Sequence, residues 1–310
     1  MSGVSSGGLS RDGRWFTDQW SDGLRFSVQV EKVLRDVKSP FQHVLVLETT
    51  QLGRMLVLDG SIQCSEADEA AYHELIVHPG LCRRGARKAD DKAVLVVGGG
   101  DGGAAREALR HRDVKRVDLV DIDGEVTRAA RELLPSIWCR PDGSGPLHED
   151  ERLQIRHEDG LAFLESSDKA PRQGYDLIVV DATDPAGPGT VLFSDDFYRA
   201  VLGRVREGGA VAVQAGSWWC LPQVLRRAHD GLRRAFGRAE AYHCWSAVYP
   251  GGLWNLVIAT FGDDPSKVDP SFVAPLDGCR WYDASTHEAA FVLSFEERRT
   301  LRGCSSKTAT

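Results

Sequence analysis

The stretch "VVGGGDGGAARE", residues Val96–Glu107, joins an apolar run to a helix-forming run through a glycine-rich turn, and its reading decides the fold. A turn of this kind normally presents backbone N–H groups and a helix N-terminus to an anion, most often a phosphate. Here the turn carries a carboxylate, Asp101, at its centre. Either Asp101 points away from the ligand or the ligand brings positive charge.

Downstream, the same pattern of strand, turn and helix repeats. "RVDLVDID" precedes "EVTRAARELL", "LQIRHED" precedes "LAFLES", and "YDLIVVD" precedes "SDDFYRAVLGRV". Apolar runs alternating with helices predict buried parallel strands in a doubly wound α/β sheet. "GGAVAVQA", a helix near "PQVLRRAHDGLRRAF", and "LWNLVIAT" extend it. Upstream, from Trp15 to Ser65, short alternating segments predict a small antiparallel β domain, with Asp59-Gly60 as a hairpin turn. Between the two, "DEAAYHELIVH" (Asp68–His78) puts Tyr72, Leu75 and Ile76 at helical spacing and predicts an amphipathic connecting helix. "RPDGSGPLHEDER" and "ATDPAGPGT" read as loops. The expected organisation is a flexible tail over 1–13, a β domain with its connecting helix over 14–82, an α/β domain over 83–303 and a flexible tail over 304–310.

Composition narrows the function classes. With 310 residues, 42% hydrophobic and 27% charged, the chain can fold alone. A formal net charge of −7 gives no electrostatic reason for nucleic acid or an anionic membrane. The longest apolar runs are strand-length, well under the roughly 18 residues of a membrane span, and "MSGVSSGGLSRDGR" lacks a signal-peptide core, so a cytoplasmic location is expected. The seven cysteines contain no C-x-x-C pair and suggest neither a disulfide framework nor a zinc site.

In an open parallel sheet, ligands bind outside the carboxyl ends of the strands. The residues ending these strands are mostly acidic: Asp101, Asp121, Asp123, Asp159 and Asp181. Gly98, Gly100 and Gly103 satisfy G-x-G-x-x-G, and Asp121, 18 residues beyond Gly103, suits ribose hydroxyls. That pattern alone fits a dinucleotide and an S-adenosyl compound equally. Asp101 separates them: it repels a pyrophosphate by roughly 1 kcal/mol at 4 Å even in bulk water, whereas a sulfonium with a free ammonium is attracted. Asp159-Gly160 stands where an adenine amino group would donate, and it also suits a helix N-cap. Asp181 and Asp184, on a Pro- and Gly-rich stretch, suit a cationic acceptor. His73 and His78 are five apart, about 140° around a helix, so no zincin-type metal site is expected on it. Tyr72 lies among Asp68, Glu69 and Glu74.

These segments together resemble the spermidine synthase family of aminopropyltransferases, from about Trp15 to Leu301. The resemblance is carried by "WFTD", "SVQVEKVL", "LVLDGSIQCSEADEAAYHE", "VVGGGDGGAARE", "DID", "HEDG", "VVDATDPAGPGTVLF", "QAGSWW", "VYPGGLW" and "THEAAFVL". It implies a Rossmann-like sheet of the S-adenosylmethionine-dependent methyltransferase type behind the β domain, in a homodimer or homotetramer. It also implies transfer of an aminopropyl group from decarboxylated S-adenosylmethionine, a co-substrate rather than a prosthetic group, to putrescine. Spermidine and 5′-methylthioadenosine are the products. By position, the resemblance makes Asp181 the catalytic carboxylate with Tyr72 beside it and Asp101 the partner of the donor's ammonium. Asp121 takes the ribose, Asp159 and Gly160 the adenine edge, and Gln29 and His73 the remainder of the donor, over the turn glycines Gly98 and Gly100. Asp184, Gln214 and Tyr249 line the acceptor groove, with Trp15 and Trp254 as apolar walls.

Four positions depart from the family pattern: Gly216 where an acidic residue is usual, "AVYPGG" for "PTYPSG", Asp121 for glutamate, and "HPGL" for H-x-P-L. The first two bear on which amine is accepted. The competing readings are a diamine methyltransferase on the same scaffold, a transferase with another amine acceptor, an NAD-dependent dehydrogenase, and a non-catalytic partner subunit. Asp101 opposes the dehydrogenase, the intact "DEAAYHE" opposes the methyltransferase, and Asp181 with Tyr72 opposes the non-catalytic subunit.

Overall fold

A computed structural model describes residues 7–166, 170–183, 192 and 194–303. The first sheet is antiparallel and runs in chain order: β1 (Gly8–Leu9), β2 (Trp15–Ser21), β3 (Leu24–Lys38), β4 (His43–Thr49), β5 (Gly53–Leu58) and β6 (Ser61–Ser65). The turn between β5 and β6 is made by Asp59 and Gly60 at φ 49° and 84°, the left-handed pair that a tight hairpin needs. β1 lies within the segment expected to be a tail, and it pairs with β2 through Gly8↔Thr17 and Leu9↔Phe16.

α1 (Glu69–Cys82) leads into the second sheet. There follow β7 (Lys92–Gly98), α2 (Gly103–Arg110), β8 (Val114–Asp121), α3 (Gly124–Leu133), β9 (Leu153–His157), α4 (Gly160–Glu165), β10 (Tyr175–Asp181), α5 (Asp195–Leu202) and β11 (Val205–Gln214). Then come α6 (Pro222–Phe236), β12 (Arg238–Trp245), β13 (Leu253–Thr260), α7 (Pro270–Val273), α8 (Ala284–Ala290) and α9 (Phe295–Leu301). The strand order is β12-β13-β11-β10-β7-β8-β9, with β13 antiparallel to both neighbours and the rest of the sheet parallel. This is the doubly wound sheet expected, closed by a last strand that turns back. β7 and β10 are buried on both faces, which explains their unbroken Val and Leu runs.

α1 differs from its expected amphipathic form, because all 14 of its residues are buried. Its apolar side joins residues of both sheets in one core, including Val44, Leu56, Val94, Val179 and Leu256. Its polar side is covered by α2 and by the segment after α7. The helix also runs through Pro79. Proline has no N–H to give the carbonyl of residue 75, and the buried hydroxyl of Tyr242 donates to Leu75 O instead, at 2.9 Å. The interruption is thereby satisfied from β12.

The sequence of connections reverses between β7 and β10, since β8 and β9 build outward on one side and β11 on the other. Ligands of such sheets bind at this switch point, beyond the strand ends. Gly98 and Asp181 occupy it side by side, in register as the last residues of β7 and β10.

Candidate active site

The turn after β7 fits closely around its neighbours. Gly98 has φ 78°, and a Cβ there would lie 2.2 Å from the Asp181 carbonyl oxygen. Gly99 N donates to that carbonyl at 2.7 Å. Gly100 N donates to Asp121 Oδ2 at 2.9 Å, and a Cβ on Gly100 would meet the same oxygen at 2.6 Å. These glycines therefore let the turn close onto the Asp181 carbonyl and the Asp121 carboxylate, so its N–H groups at Gly99 and Gly100 are already satisfied by the protein.

Asp101 does not stand alone. Its Oδ1 accepts from Gly103 N at 2.7 Å and lies 3.3 Å from His73 Nε2. The other ring nitrogen of His73, Nδ1, is 2.7 Å from Glu69 Oε2. Burial disfavours the charged form of both partners. It is outweighed by their mutual attraction and hydrogen bonding, which hold Asp101 below the usual aspartate range and raise His73 well above an ordinary histidine. Glu69 also receives Arg106 Nη2 at 2.7 Å and pairs with Arg280. The positive charge that Asp101 calls for is thus supplied partly by the chain itself.

Asp181 is the less compensated carboxylate. Tyr72 Oη donates to its Oδ1 at 2.7 Å, while Oδ2 is buried without a hydrogen-bond partner among the described residues. Burial, and then the charge of Asp101, push it up to about 6, against the pull of His73 and Tyr72. His73, Asp101 and Asp181 each bring one polar atom within 4.8 Å of the others. Asp121 is pushed up to about 6, chiefly by burial, against hydrogen bonds from the N–H groups of Asp123 and Gly100.

Aromatic rings extend from this cluster in a row. Tyr72 meets Tyr249 edge-on at 6.1 Å, Tyr249 meets Trp254 at 4.5 Å, and Trp254 meets Trp20 at 5.7 Å. A narrow cleft, with room for little more than a water molecule, opens beside them, lined by Gln63, Cys64, Asp68, Tyr72, His73 and Tyr249 among others. Asp68 fixes the loop carrying Tyr249: its Oδ2 accepts from Ser246 Oγ at 2.9 Å and Ala247 N at 2.8 Å. Tyr249 Oη in turn donates to Gln63 O.

The remaining expected residues fall in different surroundings. Asp159 is exposed and caps α4, accepting from Ala162 N at 2.8 Å, with Gly160 next to it. Gln214 is buried and spent on protein groups: Nε2 donates to Ala182 O at 2.9 Å, and Oε1 accepts from Gly216 N and Trp254 Nε1. It orients Trp254 and the chain just past Asp181. Trp15 and Gln29 face each other across β2 and β3, both exposed, Trp15 by 47%. The tryptophan packed on Trp254 is Trp20. Asp184 lies outside the described residues. Sequence reasoning assigned no role to Arg106, Arg280 or Trp20; the signal for Arg106 was its position three residues beyond Gly103, on the first turn of α2. Glu74 also acquires a role, since its carboxylate takes the N–H groups of Arg280, Trp281 and Tyr282 at 2.8, 2.8 and 2.6 Å.

Among the described residues no helix is long and apolar enough to cross a membrane. Residues 69–265 match the model of the spermine/spermidine synthase domain, and residues 14–66 that of the spermidine synthase tetramerisation domain. The chain is 37% identical over 279 residues to a polyamine aminopropyltransferase of Thermoanaerobacter sp. (strain X514), covering 90% of this chain and 95% of the relative. It is 34% identical to that of Bacillus subtilis (strain 168), with the same coverage. Among solved structures, a spermidine synthase in complex with the transition-state analogue AdoDATO superposes with a TM-score of 0.85 at 28% identity, covering 95% of this chain and 97% of the other. The spermidine synthase of Thermotoga maritima gives 0.84 at 27%, with the same coverage.

Proposed function

Because the chain belongs to the spermine/spermidine synthase family and is a transferase of the polyamine aminopropyltransferase type, we propose that it moves the aminopropyl group of decarboxylated S-adenosylmethionine to putrescine. The observation that carries this reading is Asp181: one oxygen tied to Tyr72, the other buried without a partner among the described residues. A buried lone pair without a donor is costly, and an incoming amine N–H supplies one.

The amine nitrogen attacks the methylene carbon beside the sulfonium, the carbon–sulfur bond breaks, and its electron pair neutralises sulfur as methylthioadenosine leaves. The nitrogen then sheds a proton. An alkyl ammonium has a pKa near ~10.4, far above that of an aspartate, so Asp181 chiefly orients the amine and takes up the proton as positive charge builds on nitrogen. Orientation of bound reactants is worth up to roughly 7 to 11 kcal/mol, general-base help about 3 to 5. Tyr72 holds the carboxylate in place. The row Tyr72, Tyr249, Trp254 and Trp20 suits the methylene chain of a diamine.

Toward the donor, Asp101 stays ionised beside a cationic His73. This supports a donor presenting an ammonium without a neighbouring carboxylate, since ordinary S-adenosylmethionine would bring like charge to Asp101. Asp121 suits the ribose and Asp159 with Gly160 the adenine edge; Gln29 with His73 is assigned to the remainder of the donor, and Trp15 to an apolar wall of the acceptor groove. Asp184 belongs to the acceptor side, and Gln214 supports it indirectly. We further propose a two-domain chain divided near residue 82, acting in the cytoplasm as a homodimer or homotetramer, the match of residues 14–66 to a tetramerisation domain supporting assembly.

The test is product analysis by mass after incubation with both S-adenosyl donors and a panel of amines. Spermidine and methylthioadenosine from the decarboxylated donor and putrescine are expected. Methylated amine with S-adenosylhomocysteine overturns the reading, and a different aminopropylated amine overturns the acceptor alone.

A further inference from the structure

α1 carries a second histidine, His78, that the reaction does not use. His78 Nε2 lies 3.2 Å from Glu107 Oε2 and 3.5 Å from Cys279 Sγ. One polar atom from each of the three lies within 4.8 Å of the others. The residues come from α1, from α2 and from the segment after α7, so only the fold joins them. His78 and Glu107 are fully buried, while Cys279 is partly exposed and gives access from solvent.

We propose that His78 Nε2, Glu107 Oε2 and Cys279 Sγ form a site for a thiophilic divalent metal of the zinc class, with a water molecule in the fourth place. A tetrahedral ion with metal–nitrogen and metal–oxygen bonds near 2.1 Å and a metal–sulfur bond near 2.3 Å sets nitrogen about 3.6 Å from sulfur and about 3.4 Å from oxygen. The two separations from His78, 3.5 and 3.2 Å, already match these edges. The polar atoms of Cys279 and Glu107 lie within 4.8 Å of each other, against about 3.6 Å for that edge in such a site. A mixed nitrogen, oxygen and sulfur set favours zinc-like ions over magnesium or calcium, which take oxygen donors.

The outer contacts have the form such a site needs. His78 Nδ1 lies 2.9 Å from His111 Nε2, which fixes the ring and leaves Nε2 facing the other two ligands. His111 is therefore a positioning residue. Arg110 Nε donates to Glu107 Oε2 and Arg106 Nε to Oε1, both at 2.7 Å. These guanidinium groups oppose a cation, and the loss of the Cys279 proton on binding partly offsets them: a divalent ion enters, a metal–sulfur bond forms, one proton leaves and no electrons move. Cys279 precedes Arg280, which is tied to Glu69 and Glu74. An occupied site clips the segment after α7 onto the helix that carries Tyr72 and His73.

The experiment uses the full chain, reduced and stripped with a chelator, titrated with cobalt(II) alone. One equivalent is expected to give a near-ultraviolet thiolate-to-cobalt band with the visible bands of tetrahedral cobalt, both bleached by zinc. Cys279→Ser is expected to lose the thiolate band while keeping the wild-type circular dichroism. In parallel, one equivalent of zinc is expected to slow alkylation of Cys279, mapped by mass spectrometry, at least about tenfold, because a metal-bound thiolate is withdrawn from reaction, with the partly exposed Cys139 and Cys220 unaffected. Absence of the thiolate band, its survival in Cys279→Ser, or unchanged alkylation of Cys279 overturns the proposal. None of these readouts involves turnover, so failure here leaves the aminopropyl-transfer reading standing.

Discussion

Asp181 and Asp101 are two carboxylates in one cleft whose surroundings push them in opposite directions. Asp101 has His73 at 3.3 Å and stays ionised; Asp181 is hydrogen-bonded only by a neutral phenol, and burial, then the charge of Asp101, push its pKa up to about 6 against the weaker pull of His73 and Tyr72. The reactive form is the ionised one, so activity falls as pH drops through this value. We expect the acid limb of kcat/KM near pH 6. Tyr72→Phe removes a hydrogen bond that favours ionised Asp181 and moves the limb to higher pH. Asp101→Asn removes a like charge that disfavours it and moves the limb lower. A pH–rate profile of the three proteins checks both signs. At this scale the sequence was legible in its charges but not in their pairing. Asp101 was recognisable as an anomaly in a glycine turn, yet its partner His73 lies 28 positions away on another element. Nor was it legible that Trp20, five residues beyond the exposed Trp15, packs on Trp254. Successive strand side chains alternate in direction, and the register of β2 shifts between Gln19 and Ser21, which no local pattern announces.

Among the elements, α1 shows how a helix can be read correctly in position and wrongly in character. Its apolar spacing is real, but Glu69, His73, Glu74 and His78 on the remaining surface are buried too, because Arg106, Glu107 and the backbone of residues 280–282 wait to receive them. Those partners are distant in sequence, so periodicity alone predicted an exposed polar face. Pro79 inside the helix makes a sharper test. Tyr242→Phe leaves Leu75 O without its donor and is expected to cost about 1 to 3 kcal/mol, the range for a buried polar group left unpaired. In a Pro79→Ala background the new N–H can serve Leu75 O, and the same substitution is expected to cost clearly less. Chemical denaturation of the four proteins measures this coupling. Equal costs in both backgrounds would mean that Tyr242 does not replace the missing helix bond.

For the whole molecule, the alternation of strands and helices fixed the α/β sheet, and the Asp59-Gly60 signal fixed the last hairpin of the first sheet. The return of β13 between β11 and β12 was not legible, since "LWNLVIAT" reads as a buried strand in either direction. Asp101 and Asp181 meet because Gly98 and Asp181 finish neighbouring strands at the switch point, while α1 brings Tyr72 and His73 to the same carboxylates. In the proposed function, this meeting point is where an aminopropyl group is transferred with the help of Asp181. The most direct measurement is the rate of methylthioadenosine and spermidine formation from decarboxylated S-adenosylmethionine and putrescine by the wild type and Asp181→Asn, with donor affinity measured calorimetrically on both. One-to-one products are expected from the wild type, and an Asp181→Asn protein that binds the donor normally but turns over about 10² to 10⁴-fold more slowly. Turnover of Asp181→Asn close to that of the wild type would contradict the proposal.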